Sequence, residues 1–138
     1  MGASTIITIK DISVARAKSD DGPQGARRAF NALESKMETL RGRKMYGAFY
    51  KIAGDYFACV GLDAEYPDDM GFEKGVIPGG LYARRKIADW EKHVSDIWPA
   101  FENMSQEMGE LGYEVDIERP SVEFYRSQRE LFLMLPIK

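Results

Sequence analysis

The sequence has a single cysteine, Cys59, and a single histidine, His93. A disulfide within the chain is therefore excluded, which is typical of a protein from a reducing compartment. A zinc site of Cys and His side chains is excluded as well, because such sites need three or four ligands of these types. A Cys–His or Ser–His catalytic pair would have to use His93. We expect no metal ion and no cofactor.

Long apolar runs and an excess of positive charge are also lacking. No apolar stretch approaches the roughly 18 residues of a membrane-spanning helix, and the first ten residues lack the apolar run of a signal peptide. With 22 acidic residues against 19 Lys and Arg, the formal net charge is −3. Such a balance disfavours direct nucleic-acid binding. These features predict a cytoplasmic protein that binds neither membranes nor nucleic acid.

The first half of the chain predicts a strand, a helix and a hairpin. Residues 4–10 form a β-branched run. Apolar residues then recur at spacings of three and four from Ala26 to Leu40, which indicates a helix that ends at Gly42. Two β-rich runs, 45–51 and 55–62, follow around a short glycine-containing loop.

The same order returns in the second half. Residues 76–85 predict a strand, and 90–108 predict an amphipathic helix that Pro99 should kink or split. The runs 121–127 and 130–137 predict a second hairpin. The two halves therefore indicate a duplication of one βαββ unit.

A gapless alignment of the two hairpins supports this duplication, since it places Phe49 on Phe124 and Phe57 on Phe132. Two such units predict an α+β fold, with one antiparallel sheet and both helices on one face. We expect a single domain over residues 1–138, with pseudo-repeats at about 3–63 and 75–138.

Strand parity divides the hairpin side chains between two faces, because successive side chains of a strand point to opposite sides. The gapless reading places Tyr125 opposite Glu130 and Glu123 opposite Phe132. One face is then largely apolar and is expected to pack under the helices. It comprises Met45, Phe49, Tyr56, Ala58, Val60, Leu62, Val122, Phe124, Leu131, Leu133 and Leu135.

The other predicted face combines aromatic rings with carboxylates and has no Lys or Arg in its paired stretches. Its members are Tyr46, Tyr50, Asp55, Phe57, Glu123, Tyr125, Glu130, Phe132 and Met134. Aromatic rings attract flat molecules and cations by about 0.5–2 kcal/mol each once water is removed. The pattern predicts a cleft for an aromatic or cationic small molecule. There are two alternatives. The face could form a homodimer interface, or it could be half-exposed and contain aromatic residues because these favour the strand conformation.

Several short motifs resemble the GyrI-like small-molecule-binding domains. The segment IPGGLY (77–82) is similar to the family's IPxGxY stretch, and DYFACVGL (55–62) is similar to its Y-x-A-C-V strand. The segments GYEVDIERPSVEFY (112–125) and ELFLMLPI (130–137) resemble its closing hairpin, and ITIKDI (7–12) its opening. The resemblance covers nearly the whole chain, and the family's fold is a duplicated βαββ unit.

The resemblance implies a function as well as a fold. Members include effector-binding domains of BmrR-type and Rob-type regulators, which bind bulky aromatic or cationic drugs around a buried acid. That role falls here on Glu123, with Tyr125 beside it and Glu130 as a second candidate. The chain has no room for an N-terminal helix-turn-helix and so resembles stand-alone members. Some of these are hydrolases that confer resistance by opening the ring of cyclopropanoid genotoxins, in which case Glu123 and Tyr125 would be catalytic.

The chemistry of these residues is compatible with either activity. A carboxylate among rings loses water, which raises its pKa and suits Glu123 to act as a general base. A hydroxyl of Tyr46, Tyr50 or Tyr125 could stabilise developing negative charge. A buried glutamate serves equally as an anchor for a ligand. An interaction module and a haem protein of the SOUL type, with His93 as the ligand, are further alternatives.

Overall fold

In the computed structural model, which describes residues 3–138, nine strands and two α-helices follow one another along the chain. The strands are β1 (Thr5–Ile9), β2 (Ile12–Lys18), β3 (Asp20–Pro23), β4 (Met45–Tyr50), β5 (Asp55–Gly61), β6 (Glu73–Ile77), β7 (Gly80–Ala88), β8 (Ser121–Tyr125) and β9 (Glu130–Pro136). The helices are α1 (Ala26–Glu34) and α2 (Ile97–Glu110), and two 3₁₀ turns, Trp90–Lys92 and Val94–Asp96, precede α2.

Eight of these strands form one antiparallel sheet in the order β1-β7-β9-β8-β4-β5-β2-β6. The sheet curls into a half-barrel with two helices, which confirms the predicted α+β fold. The strand order is symmetric about the centre of the sheet. Each strand of the first half has a counterpart at the same distance from the centre on the other side: β4 matches β8, β5 matches β9, β2 matches β7, and β1 matches β6. The seam between the halves is the pairing of β4 with β8.

Three strands, β1, β2 and β3, precede α1, and two strands, β6 and β7, lie between β5 and α2, whereas the sequence pattern predicts one strand in each place. β2 and β3 were not predicted, and the predicted strand 76–85 is divided between β6 and β7 by Pro78 and Gly79. The first strand of each half pairs with the other half, β1 with β7 and β6 with β2. This exchange of strands between the halves could not be predicted from periodicity, because the pattern of a strand does not identify the strand with which it pairs.

The helices are shorter than predicted. α1 ends at Glu34, so the apolar residue Leu40 lies outside it and is 50% exposed. Pro99 lies in the first turn of α2, where its missing N–H needs no partner, and it therefore does not kink the helix. None of the helices within residues 3–138 is long and apolar enough to cross a membrane.

Both helices cover the same face of the sheet. Ala29 and Leu33 of α1 pack on β2 and β5, and Phe101 and Met104 of α2 pack with side chains of β7 and β9. A third buried cluster lies on the opposite face, where the curl brings side chains of distant strands together. We call this concave surface the inner face, and the other one the helix face.

The two leucines of the predicted α1 stripe offer a test of the helix boundary. Leu33 is fully buried and Leu40 is half exposed. We expect Leu33→Ala to lower the free energy of unfolding by about 2–5 kcal/mol, because it leaves a cavity under α1. Leu40→Ala should change it by no more than about 0.5 kcal/mol. Urea denaturation of both variants measures this, and equal losses would contradict the short helix.

Candidate functional site

The register of the second hairpin differs from the prediction and moves two site residues to the other face. Glu123 pairs with Leu133, and Tyr125 pairs with Leu131. Five residues separate Tyr125 from its partner Leu131, whereas four separate Tyr50, the residue aligned with Tyr125, from its partner Asp55 in the first hairpin. A one-residue difference in the loop turns every side chain of a strand to the opposite face. The gapless alignment was therefore wrong for β8.

As a result, Glu123 and Tyr125 lie on the helix face, and Val122 and Phe124 lie on the inner face. The side chains of the first hairpin and of β9 lie on the faces predicted for them. In the first hairpin, Met45 pairs with Val60 and Tyr46 pairs with Cys59. The predicted site residues are thus divided between two surfaces. Glu123 and Tyr125 are on one, and Tyr46, Tyr50, Phe57, Glu130, Phe132 and Met134 are on the other.

Glu123 lies at the seam between the halves and accepts two tyrosine hydroxyls on a single oxygen. Tyr56 Oη donates to Oε1 at 2.5 Å, and Tyr125 Oη donates to the same atom at 2.9 Å. Oε2 has no hydrogen-bond partner among residues 3–138, and Glu123 keeps some contact with solvent. No Lys or Arg of the described chain pairs with this carboxylate.

Gly47 provides the space for this carboxylate. It faces Glu123 across the β4–β8 pair. A Cβ atom at position 47 would collide with Glu123 Oε1 and with Tyr56 Oη. A glycine inside a strand often marks such a close approach. Because Gly47 has no side chain, the carboxylate of Glu123 and the hydroxyl of Tyr56 can lie directly over the backbone of β4.

Aromatic rings enclose the carboxylate from the helix side. Phe30 of α1 meets the ring of Tyr125 edge-on at 5.4 Å and that of Tyr56 at 6.4 Å. Trp90 meets Tyr125 from the other side at 4.9 Å. These rings remove water from the charged group. We refer to Glu123, Tyr56, Tyr125, Phe30 and Trp90 as the seam site.

The protonation properties of the seam site follow from this burial. Burial raises the pKa of Glu123, and the two tyrosine hydrogen bonds offset part of that rise. The pKa of Tyr56 rises well above its ordinary value because of burial and the neighbouring carboxylate charge. The pKa of Tyr125 rises for the same two reasons. Both phenols therefore remain hydrogen-bond donors at neutral pH.

A cavity of about 760 Å³ lies farther along the same two strands, and none of the five seam-site residues lines it. Phe49 and Ser121, which pair across β4 and β8, line it. Each is two residues from Gly47 or Glu123, a step of about 7 Å. Trp98 of α2 meets Phe49 edge-on at 5.3 Å and is 43% exposed. The helix face thus carries two separate features, the seam site and a cavity whose wall includes Phe49 and Trp98.

The inner face carries most of the predicted aromatic residues, but its charge differs from the prediction. Arg84 lies over the ring of Phe132 at 5.0 Å, and Arg16 lies over Phe57 at 4.1 Å. Glu130 is engaged by Lys86 at 3.2 Å. The predicted face of rings and acids without cations was therefore wrong, because β2 and β7 contribute arginines and Glu123 is absent.

Sequence reasoning missed three members of the seam site. Tyr56 was assigned to the core, and Phe30 and Trp90 to helix stripes. The available clue was Gly47, a glycine in the middle of an otherwise strong strand. His93 lies beside Asp96 at 3.3 Å on the surface, and burial raises the pKa of Cys59 to about 12. In residues 3–138, no three His, Cys, Asp or Glu side chains are grouped to hold a metal ion.

Comparison with known proteins shows the fold. No protein-family model matches the chain, and no curated protein sequence matches it. An integron cassette protein from the mobile metagenome of Vibrio cholerae superposes with a TM-score of 0.72 at 15% identity, over 99% of this chain and 96% of that one. The protein SAV2435, solved with tetraphenylphosphonium bound, gives 0.63 at 11% identity, over 99% and 94%. A hydrolase from Listeria innocua gives 0.58 at 12% identity, over 99% and 92%.

The raised pKa of Glu123 predicts a pH dependence of stability. Between its ordinary value near 4.5 and its raised value, the folded state binds more protons at this site than the unfolded state. The contribution of Glu123 to stability therefore falls as the pH rises through this window. Glu123→Gln removes this contribution, so the free energy of unfolding of the variant relative to wild type should increase as the pH rises above the ordinary glutamate pKa. Urea denaturation across this range measures it.

Asp116→Asn is a control for which the opposite pH dependence of stability is expected, because the pKa of Asp116 is lowered and not raised. The Arg119 hydrogen bond lowers the pKa of Asp116 below its ordinary 3.8. The stability contributed by Asp116 is therefore present above that value and is lost as the pH falls through the lowered pKa. The asparagine variant should be less stable than wild type at neutral pH, with a smaller deficit in strong acid. A difference for Glu123→Gln that does not change with pH would contradict the buried carboxylate.

Proposed function

We propose that this chain is a small-molecule-binding protein of the GyrI-like type, and that Glu123 is the polar anchor for an aromatic or cationic ligand. One observation carries the proposal. Both tyrosine hydroxyls of the seam site are directed at Oε1, which leaves Oε2 available to a ligand. A carboxylate that is oriented but has no counter-ion suits an organic cation.

The surroundings of Glu123 support a cation with apolar substituents. Desolvation strengthens the attraction between opposite charges, and ring faces add cation–π attraction. The 760 Å³ cavity that Phe49 and Ser121 line, about 7 Å along β4 and β8 from Gly47 and Glu123, is within the size range of ligand pockets. The structural neighbour SAV2435 was solved with tetraphenylphosphonium, a cation of this class.

Hydrolysis is a second candidate, favoured by the raised pKa of Glu123 and its two hydroxyl neighbours. In this reaction Glu123 would take a proton from a water molecule, and the water oxygen would form a bond to a cyclopropane carbon. The ring C–C bond would break, and its electron pair would pass into the conjugated carbonyl of the genotoxin. Tyr125 would donate a hydrogen bond to that carbonyl oxygen, which stabilises its negative charge.

Titration with tetraphenylphosphonium tests the binding proposal. Trp90 and Trp98 flank the site, so binding should quench tryptophan emission. Glu123→Gln should weaken binding by about tenfold or more, since a charged partner is lost. Glu102→Gln is the matched control, because it removes the same charge from an exposed position on the cavity wall. Equal affinity of wild type and Glu123→Gln would refute the anchor.

Incubation with a cyclopropane-containing alkylator tests the second candidate. Mass spectrometry should detect a product heavier than the substrate by one water, and Glu123→Gln should abolish its formation. Tyr125→Phe should slow it by roughly 100-fold, the scale of losing one donor to a developing oxyanion. Product that forms at the same rate with Glu123→Gln would exclude Glu123 as the base.

A further inference from the structure

The inner face has a cavity of its own, on the side of the sheet opposite the seam site. It measures about 270 Å³. Its apolar wall includes Ile7, Ile9, Tyr46, Phe124, Phe132 and Met134. A dry apolar cavity of roughly 150 Å³ accommodates a benzene ring, so this one has room for a fused pair of rings. Tyr46 and Met134 are almost fully buried, so the floor of the cavity is part of the core.

The floor of this cavity is a continuous row of parallel rings. Tyr46 of β4 stacks on Phe124 of β8 at 5.0 Å with an interplanar angle of 20°. Phe124 stacks on Phe132 of β9 at 6.4 Å with an angle of 23°. Three neighbouring strands thus present one aromatic surface, which exists because the register of β8 turns Phe124 to the inner face. A flat apolar molecule matches this surface.

The polar side of the cavity is cationic. Arg84 of β7 and Arg126 of the hairpin loop both line it. Arg84 is partly buried over the Phe132 ring, and in residues 3–138 it forms no ion pair. Glu130, the nearby carboxylate on this face, is bound by Lys86 at 3.2 Å and approached by Arg126 only at 4.0 Å. A guanidinium in such a position binds a carboxylate in bidentate fashion.

We propose that the inner face is a second small-molecule site, selective for a compact aromatic carboxylate whose rings lie on the Tyr46–Phe124–Phe132 row and whose charge is bound by Arg84. The ligand is opposite in charge to the one proposed for Glu123, and the two sites lie on opposite faces of one sheet. This proposal is independent of the function of the seam site.

Calorimetric titration with 2-naphthoate tests the proposal, with 2-naphthamide and 2-naphthylmethylammonium as the neutral and cationic counterparts. Wild type should bind the carboxylate at least about tenfold more tightly than either, since a charge-assisted pair is lost in each case. Arg84→Gln should abolish that preference. Ile7→Trp, which fills the cavity and leaves Arg84 in place, should weaken naphthoate binding.

Arg16→Gln is the matched control. Arg16 also lies over an inner-face ring, but it is bound to Glu73 at 2.5 Å and does not line the cavity. This variant and Glu123→Gln should bind naphthoate as wild type does. Equal affinity for the three probes, or naphthoate binding that survives both Arg84→Gln and Ile7→Trp, would overturn the proposal. A dimer in sedimentation that Arg84→Gln dissociates would also overturn it, because the face would then be covered by a second copy.

Discussion

Gly47 and Glu123 meet at the seam between the two halves of the sheet, where the strand backbone leaves room for a carboxylate. β4 and β8 are the strands that join the two halves of the sheet, and these two residues face one another at their centre. A side chain at position 47 would occupy the space of the carboxylate and of the Tyr56 hydroxyl. The seam is therefore both the place where the two halves of the sheet pair and the place where aromatic side chains surround a carboxylate.

The register of β8 links the two surfaces of the sheet. The same one-residue shift that turns Glu123 and Tyr125 toward the helices turns Phe124 toward the inner face. On the helix face this completes a carboxylate with two hydroxyl donors. On the inner face it completes a row of stacked rings beside Arg84. One loop length therefore decides that Glu123 lies on the helix face and Phe124 on the inner face.

The hairpins were predictable because each strand's pattern and its turn residues are local. β4, β5, β8 and β9 lie within a residue or two of their predicted bounds, and the α+β class followed from their order. β2 was missed because both of its faces are buried to some degree, Val14 on the inner face and Ala15 under α1, so it lacks a clear alternation. The extent of α1 was overestimated because Leu40 continues the apolar spacing without packing on the sheet.

Glu123 and Tyr125 were among the predicted site residues, but the prediction placed them on the wrong face of the sheet and therefore beside the wrong neighbours. Composition and local pattern were enough to establish that the chain has one histidine and one cysteine, that tyrosine and glutamate are its candidate chemical groups, and that two similar hairpins contribute to the sheet. The contact of Glu123 with Tyr56 instead of Phe132, and the presence of arginines from β2 and β7 on the inner face, became apparent only in the folded chain. The reason is physical: side-chain direction in a strand follows from the strand alone, but the face it belongs to depends on register with a partner that is distant in the chain.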